Sequence, residues 1–263
     1  MSDSASEPTT QPWWHEFFDE TFADYIFSGM GGERLEQSIQ FLIDKLNLSK
    51  DDRVYDQCCG IGRLSLPLAE GGIHVIGVDQ SQFYIDRATE VATNQNLPCE
   101  FHCADAFDYV TEPRCQAVVN WYNSFGYSDD DEQNLLMFKR AFESLEPGGR
   151  FALEFPNFAR VLAHIGHRDP SRTWSPHSSG GPILLDEYSF DLVNGMQDSV
   201  WTYLFADGTR KTRNFRVRLY LPHNLGQMLQ ACGFGEIEFF GSLEGEPLSR
   251  RSPYCIVVAQ RPS

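Results

Sequence analysis

Basic side chains are scarce: 21 Lys and Arg stand against 37 Asp and Glu in 263 residues, a formal net charge of −16. A field of that sign repels phosphate backbones, which argues against a general nucleic-acid binder. No run approaches the roughly 18 to 20 apolar residues that a membrane-spanning helix needs. The opening MSDSASEPTTQP has neither the basic region nor the apolar core of an export signal. A cytoplasmic location without membrane partners is expected. The seven cysteines include the neighbours Cys58 and Cys59 but form no CxxC or Cys/His zinc spacing. They read as small apolar core residues in a reducing compartment.

What is present is apolar material for one large core, 41% hydrophobic and 13% aromatic residues. Residues 1–12 read as a disordered lead-in and residues 13–263 as one domain. From Trp13 to Phe27 aromatics alternate with acids, and the spacing of Trp14, Phe18, Phe22 and Tyr25 predicts one amphipathic helix, with residues 13–32 as an aromatic lid. Gly29, Gly31 and Gly32 end it, and Leu35, Ile39, Leu42, Ile43 and Leu46 mark the face of a second helix.

From residue 53 the pattern alternates strand and helix. Strands are predicted near 53–57, 73–78, 99–104, 116–122 and 149–155, with helices near 63–70, 82–94 and 130–145. This argues for a doubly wound, mostly parallel α/β sheet. Ser81 and Ser128 mark two helix starts, and Leu145-Glu146-Pro147-Gly148-Gly149 a stop. Three alternating runs joined by Asn194-Gly195 and Asp207-Gly208 then predict an inserted antiparallel meander at about 180–221. A helix at Pro222–Ala231 and strands near 235–240 and 253–259 return the chain to the main sheet, seven-stranded in all.

Chemistry concentrates at strand ends. The first strand runs Val54-Tyr55-Asp56-Gln57 into Cys58-Cys59-Gly60-Ile61-Gly62, a turn whose glycines let a ligand approach backbone N–H groups at a helix start. A GxG pair alone also suits an ordinary strand-to-helix turn. Ser65 stands where a dinucleotide fingerprint has its third glycine, which weakens a dehydrogenase reading. Asp56 would repel a pyrophosphate but suits an ammonium. Asp79, ending the second strand, is placed to take both hydroxyls of a ribose, and Asp105, ending the third, an exocyclic amine. Each acid alone can be a helix cap; the three together converge on the crevice beyond the carboxyl edge of the sheet.

These stretches, VYDQCCGIGRLSLPLAEGGIHVIGVDQS, ADAF, VVNWYNSFGY and LEPGGRFALEFPN, resemble a class I S-adenosylmethionine-dependent methyltransferase. The likeness is nearest to bacterial small-molecule enzymes, including those that dimethylate amino sugars, and covers the chain from about Glu33 onward. It implies a Rossmann-like sheet and S-adenosyl-L-methionine as cofactor, with S-adenosyl-L-homocysteine as product. By resemblance, Asp56 with the backbone of Gly60 and Gly62 holds the methionine part, Asp79 the ribose, and Asp105 with Ala106 the adenine, flanked by Gln80 and Phe107. Asn120 and Trp121 lie near the sulfonium, Tyr25 closes over the cofactor and Arg34 meets its carboxylate. Gln57 and Cys58 depart from the small or apolar residue and glycine usual at the turn.

A small-molecule acceptor with a nitrogen or oxygen nucleophile is expected beneath the aromatic lid and the meander. The stretch from Asn120 to Tyr127 is its candidate lining; without a proline pair after Asn120 it lacks the signature of base-amine methylation. Tyr122, Tyr127 and His167 are the candidate catalytic residues, the tyrosines alternatively being core aromatics. His164, His167 and Asp169 read as a surface loop, an acceptor base or, least well, a metal site, so no metal is expected. The loop around His177 is a candidate gate. Alternatives are a protein or RNA methyltransferase and a cofactor-binding scaffold without turnover; the sequence leaves monomer and homodimer open.

Overall fold

The computed structural model describes residues 12–25, 32–165, 170–175 and 181–263. The alternation produces strands β1 (Arg53–Gln57), β2 (His74–Asp79), β3 (Cys99–Cys103), β4 (Cys115–Asn120) and β5 (Leu145–Pro156). Helices α3 (Glu33–Leu46), α4 (Ser65–Glu70), α5 (Gln82–Gln95) and α6 (Asp131–Ser144) lie among them, preceded by α1 (Trp14–Phe17) and α2 (Glu20–Tyr25). Beyond β5 come α7 (Phe158–Ile165), then β6 (Ser171–Ser175), β7 (Ile183–Asp191), β8 (Met196–Leu204) and β9 (Arg210–Arg218). The chain closes with α8 (Pro222–Ala231), β10 (Gly235–Phe240) and β11 (Tyr254–Gln260).

The main sheet has seven strands in the order β10-β11-β5-β4-β1-β2-β3, and β11 alone runs against its neighbours. Strand order reverses at β1, between β2 and β4, which is where an open α/β sheet leaves a crevice. Side chains alternate between two cores. Tyr55, Val118, Phe151 and Val257 face α6 and α8 through Phe138 and Leu225. Val54, Val119, Ala152 and Ile256 face α3 and α4 through Leu42 and Leu68. A second sheet, β6-β7-β8-β9, is antiparallel throughout. It docks on the first through Arg218, whose guanidinium Nη2 lies 2.6 Å from Asp131 and whose N–H donates to the Gly126 carbonyl at 2.6 Å.

Several expectations are corrected. The aromatic segment forms two short helices, because Asp19 accepts the Phe22 N–H at 3.1 Å and so starts α2 afresh after the non-helical Phe18. The Ser128 start moves to Asp130, whose carboxylate accepts the Glu132 N–H at 2.9 Å, while the Ser128 hydroxyl accepts from the Asp130 N–H. The helix stops at Ser144 with Leu145 as its C-cap, as expected, but the strand begins at once rather than near 149, since Leu145 pairs with Cys115. Helix α7 and strand β6 are additions to the expected elements, although the apolar face of α7 recurs with helical period. The lead-in through residue 11, Gly29, Gly31, His167, Asp169 and His177 lie outside the described residues, as do the side chains of Tyr25 and His164.

Gly126 has φ +83°, and a Cβ there would lie 2.7 Å from the Arg218 carbonyl oxygen. Gly126→Ala is therefore expected to lower unfolding stability by roughly 1 to 3 kcal/mol in urea titrations. A change below about 0.5 kcal/mol would show that the two sheets are not locked at this contact.

Candidate active site

A cavity of about 340 Å³ opens over the carboxyl ends of β1, β2 and β4. One half is polar and built from the loops of the main sheet; the other is aromatic and built from α1, α2 and the second sheet.

In the polar half, Asp56 is 3% exposed, and the Ser65 hydroxyl donates to its Oδ2 at 2.6 Å. Burial pushes its carboxyl up to about 7, against the pull of the Ser65 hydrogen bond and helped by the nearby charge of Asp79. Asp79 accepts the Gly60 N–H on Oδ2 and the Ser81 N–H on Oδ1, each at 2.9 Å. Its carboxyl is also raised, by burial, against those two bonds. Each oxygen keeps a lone pair for a ligand hydroxyl. Asp105 accepts the Phe107 N–H at 2.8 Å and stands with Ala106 and Phe107 on the cavity wall. The Gln80 amide donates to the Trp14 carbonyl at 2.8 Å, which ties this half to the aromatic segment.

The two unusual turn residues have structural reasons. Cys58 adopts φ +63°, the left-handed conformation that glycine more often supplies. Gln57 is fully buried; its amide donates to the Met137 carbonyl at 3.2 Å, and its oxygen accepts from Asn120 at 3.1 Å. Asn120 is thus a brace behind the wall, and the wall after β4 is Trp121, Tyr122, Asn123, Ser124, Phe125 and Tyr127. Gly62 packs against Phe101 and Ala88, where an added Cβ would come within 3.2 and 3.3 Å. Burial raises both the Cys58 and Cys59 thiols well above their ordinary value, so neither supplies a thiolate.

Arg34 is turned away from the cavity wall. Its Nη2 lies 2.7 Å from Glu154 Oε1, and the guanidinium stacks over Tyr122 and Tyr254 at 5.2 and 4.8 Å. The guanidinium on the wall is that of Arg63, 4.5 Å from the Tyr122 ring. Burial raises the Tyr122 and Tyr127 phenols above their ordinary value, so both are neutral hydrogen-bonding groups at neutral pH.

The aromatic half joins Trp13, Phe17 and Phe22 of the N-terminal segment to Trp201 and Phe215 on the inward face of β8 and β9. Phe17 lies 5.6 Å from Trp201 and 5.0 Å from Phe215, and Trp13 4.9 Å from Tyr127. Asp19 clasps the two segments together through Lys211 at 2.6 Å and through Arg213. Burial works to raise the Asp19 carboxyl, but Lys211, the Phe22 N–H and Arg213 hold it below the ordinary range. Asp186, Gln197, Trp201 and Phe215 were not singled out from the sequence. Their signal was the two-residue period of the runs around Asn194-Gly195, which puts Asp186 opposite Trp201. Among the described residues no three His, Cys, Asp or Glu side chains cluster to hold a metal, and no helix is long and apolar enough to cross a membrane.

Residues 54–149 match the methyltransferase domain family model. "Putative methyltransferase YqeM" of Bacillus subtilis is 26% identical over 196 residues, 72% of this chain and 75% of that one. A "23S rRNA (uracil(1939)-C(5))-methyltransferase RlmD" of Francisella tularensis is 28% identical over 111 residues, 42% of this chain. The match spans only 23% of that enzyme's length. Among solved structures, the CcbJ methyltransferase of Streptomyces caelestis aligns with a TM-score of 0.77 at 20% identity, covering 92% of this chain and 96% of that one. The sugar N-methyltransferase KedS8 of a Streptoalloteichus species aligns at 0.71 and 17% identity, covering 100% and 99%. CalS10 from Micromonospora echinaspora, an amino pentose methyltransferase solved with S-adenosylmethionine bound, aligns at 0.67 and 15%, covering 90% and 95%. Residues 54–149 thus match a methyltransferase domain, and the solved structures share the fold of S-adenosylmethionine-dependent methyltransferases. The residues of the cavity fit S-adenosylmethionine: a buried carboxylate with no cation paired to it among the described residues at Asp56, a carboxylate with spare lone pairs at Asp79, and a guanidinium at Arg63.

A carboxyl raised from 3.8 to about 7 makes the unliganded fold lose stability as pH climbs through that interval, by on the order of 4 kcal/mol. Asp56→Asn is accordingly expected to gain stability relative to the parent chain between pH 4 and pH 8 in thermal unfolding. A difference between the two proteins that does not change with pH would contradict this.

Proposed function

We propose that the protein transfers a methyl group from S-adenosylmethionine to a nitrogen or oxygen nucleophile of a small molecule in the cytoplasm. The observation that carries this reading is the roof of the cavity: α1, α2 and the inward face of β8 and β9 enclose the space beside the cofactor residues. An enclosed, aromatic-walled space of this kind suits a small acceptor and excludes water from the reacting atoms. A net charge of −16 disfavours the RNA acceptor that the ribosomal relative uses. Seven free cysteines support the reducing compartment.

Bound in the polar half, S-adenosylmethionine supplies an electrophilic methyl group on a sulfonium. Asp56 receives the ammonium of the methionine part, Arg63 its carboxylate, Asp79 the ribose hydroxyls, and Asp105 with Ala106 the adenine edge. Gln80, held to Trp14, couples occupation of this half to closure of the aromatic segment. Arg34, paired with Glu154, steadies Tyr122 and thereby the wall after β4. The chain's contribution to rate is alignment of the nucleophile with the methyl carbon in a dry site.

Two outcomes are expected. Asp79→Ala weakens S-adenosylhomocysteine binding at least tenfold in calorimetry with little change in the unfolding temperature; unchanged affinity in folded protein would remove Asp79 from the site. The parent chain transfers label from methyl-tritiated S-adenosylmethionine to members of a panel of small amines and phenols. Transfer to basic proteins or RNA alone would overturn the small-molecule reading.

A further inference from the structure

Asp186 lies on the inward face of β7, opposite Trp201 of β8, and both line the aromatic half of the cavity. Its Oδ1 and the Trp201 Nε1 are buried, and neither has a partner other than the weak approach of one to the other across the strand pair. The other charges of this half are already matched. Lys211 and Arg213 on the same sheet face are paired with Asp19, and Arg218 at the end of β9 is paired with Asp131. Among the described residues no cation pairs with Asp186. Burial pushes its carboxyl up to about 6, with the Trp201 indole N–H pulling the other way.

An uncompensated carboxylate in a wall of aromatic faces has one complementary ligand chemistry, an organic cation. We propose that the acceptor is an amine that enters as its ammonium, with Asp186 as the group that receives it and Trp201, Phe215 and Phe22 as the faces around it. This rests on the methyl-transfer reading above and narrows it from nitrogen or oxygen to nitrogen.

The step balances. The ammonium gives one proton to the Asp186 carboxylate, and the freed lone pair forms the new N–C bond. The S–C bond breaks with its electron pair left on sulfur. Positive charge passes from the sulfonium to the methylated nitrogen, and the Asp186 proton leaves to solvent. The carboxylate and the aromatic faces thus stand where positive charge arrives, an arrangement that favours the transition state over the neutral amine.

The test uses the full chain saturated with S-adenosylhomocysteine and two probes of matched shape, 2-phenylethylammonium and 2-phenylethanol. Binding is read by calorimetry and by quenching of tryptophan fluorescence. The ammonium is expected to bind at least tenfold more tightly than the alcohol. Asp186→Asn is expected to erase that preference while S-adenosylhomocysteine affinity stays within twofold. Equal affinities in the parent chain, no binding of either probe, or a preference that survives in Asp186→Asn would each overturn the proposal. The comparison of probes in the parent chain needs no variant to fold. Failure of S-adenosylhomocysteine itself to bind would instead overturn the methyl-transfer reading.

Discussion

Asp56 sits at the end of a buried strand with a serine hydroxyl as its hydrogen-bond partner and another carboxylate, Asp79, near enough to raise its pKa. Two carboxylates drawn out of water with no cation paired to them among the described residues cost folding energy, and a stable domain carries that cost where the site must be ready for a ligand. Much of the architecture reads as the means of holding them there. β1 and β2 are clamped side by side from Arg53 to Gln57, the Gly60 N–H fixes the Asp79 carboxylate, and two fully buried cores grip both faces of the sheet beneath. Gln57 adds a polar cross-brace between the ends of β1 and β4, where an apolar residue would leave the Asn120 amide and the Met137 carbonyl without this partner.

The roof depends on a different interaction. α1 and α2 are too short to stand as independent helices, and they are held by rings from β8 and β9 and by the bridge from Asp19 to Lys211 and Arg213. The same residue, Asp19, breaks the helix, begins the next one and ties it down. One cavity wall is therefore drawn from segments nearly two hundred positions apart, and its two halves differ in kind. The polar half offers the carboxylates of Asp56 and Asp79 and the guanidinium of Arg63; the aromatic half carries one carboxylate, Asp186, on its wall.

What was legible in the sequence was local. A strand followed by a glycine turn carries its own register, so the positions of Asp56, Asp79 and Asp105 at the carboxyl edge follow from the sequence alone. The Asn194-Gly195 and Asp207-Gly208 turns announced the β7-β8-β9 meander for the same reason. What was not legible depended on docking. Whether Arg34 or Arg63 faces the cavity is decided by Glu154, which lies 120 positions from Arg34 and on another element. The split of the aromatic helix is made by Asp19, whose carboxylate caps α2 and is held by Lys211 and Arg213 of distant β9. Asp186 was hidden because a strand's period gives two faces, and which one turns inward is set by the contact of Gly126 with Arg218.

The central claim is that one cavity holds the cofactor in its polar half with the reactive sulfur turned toward the aromatic half. A crystal structure of the complex with S-adenosylhomocysteine tests it most directly. The ribose hydroxyls are expected on Asp79, the ammonium on Asp56, and the sulfur facing the space between Tyr127 and Asp186. Nucleoside density outside this cavity, or a sulfur directed away from the aromatic wall, would contradict it.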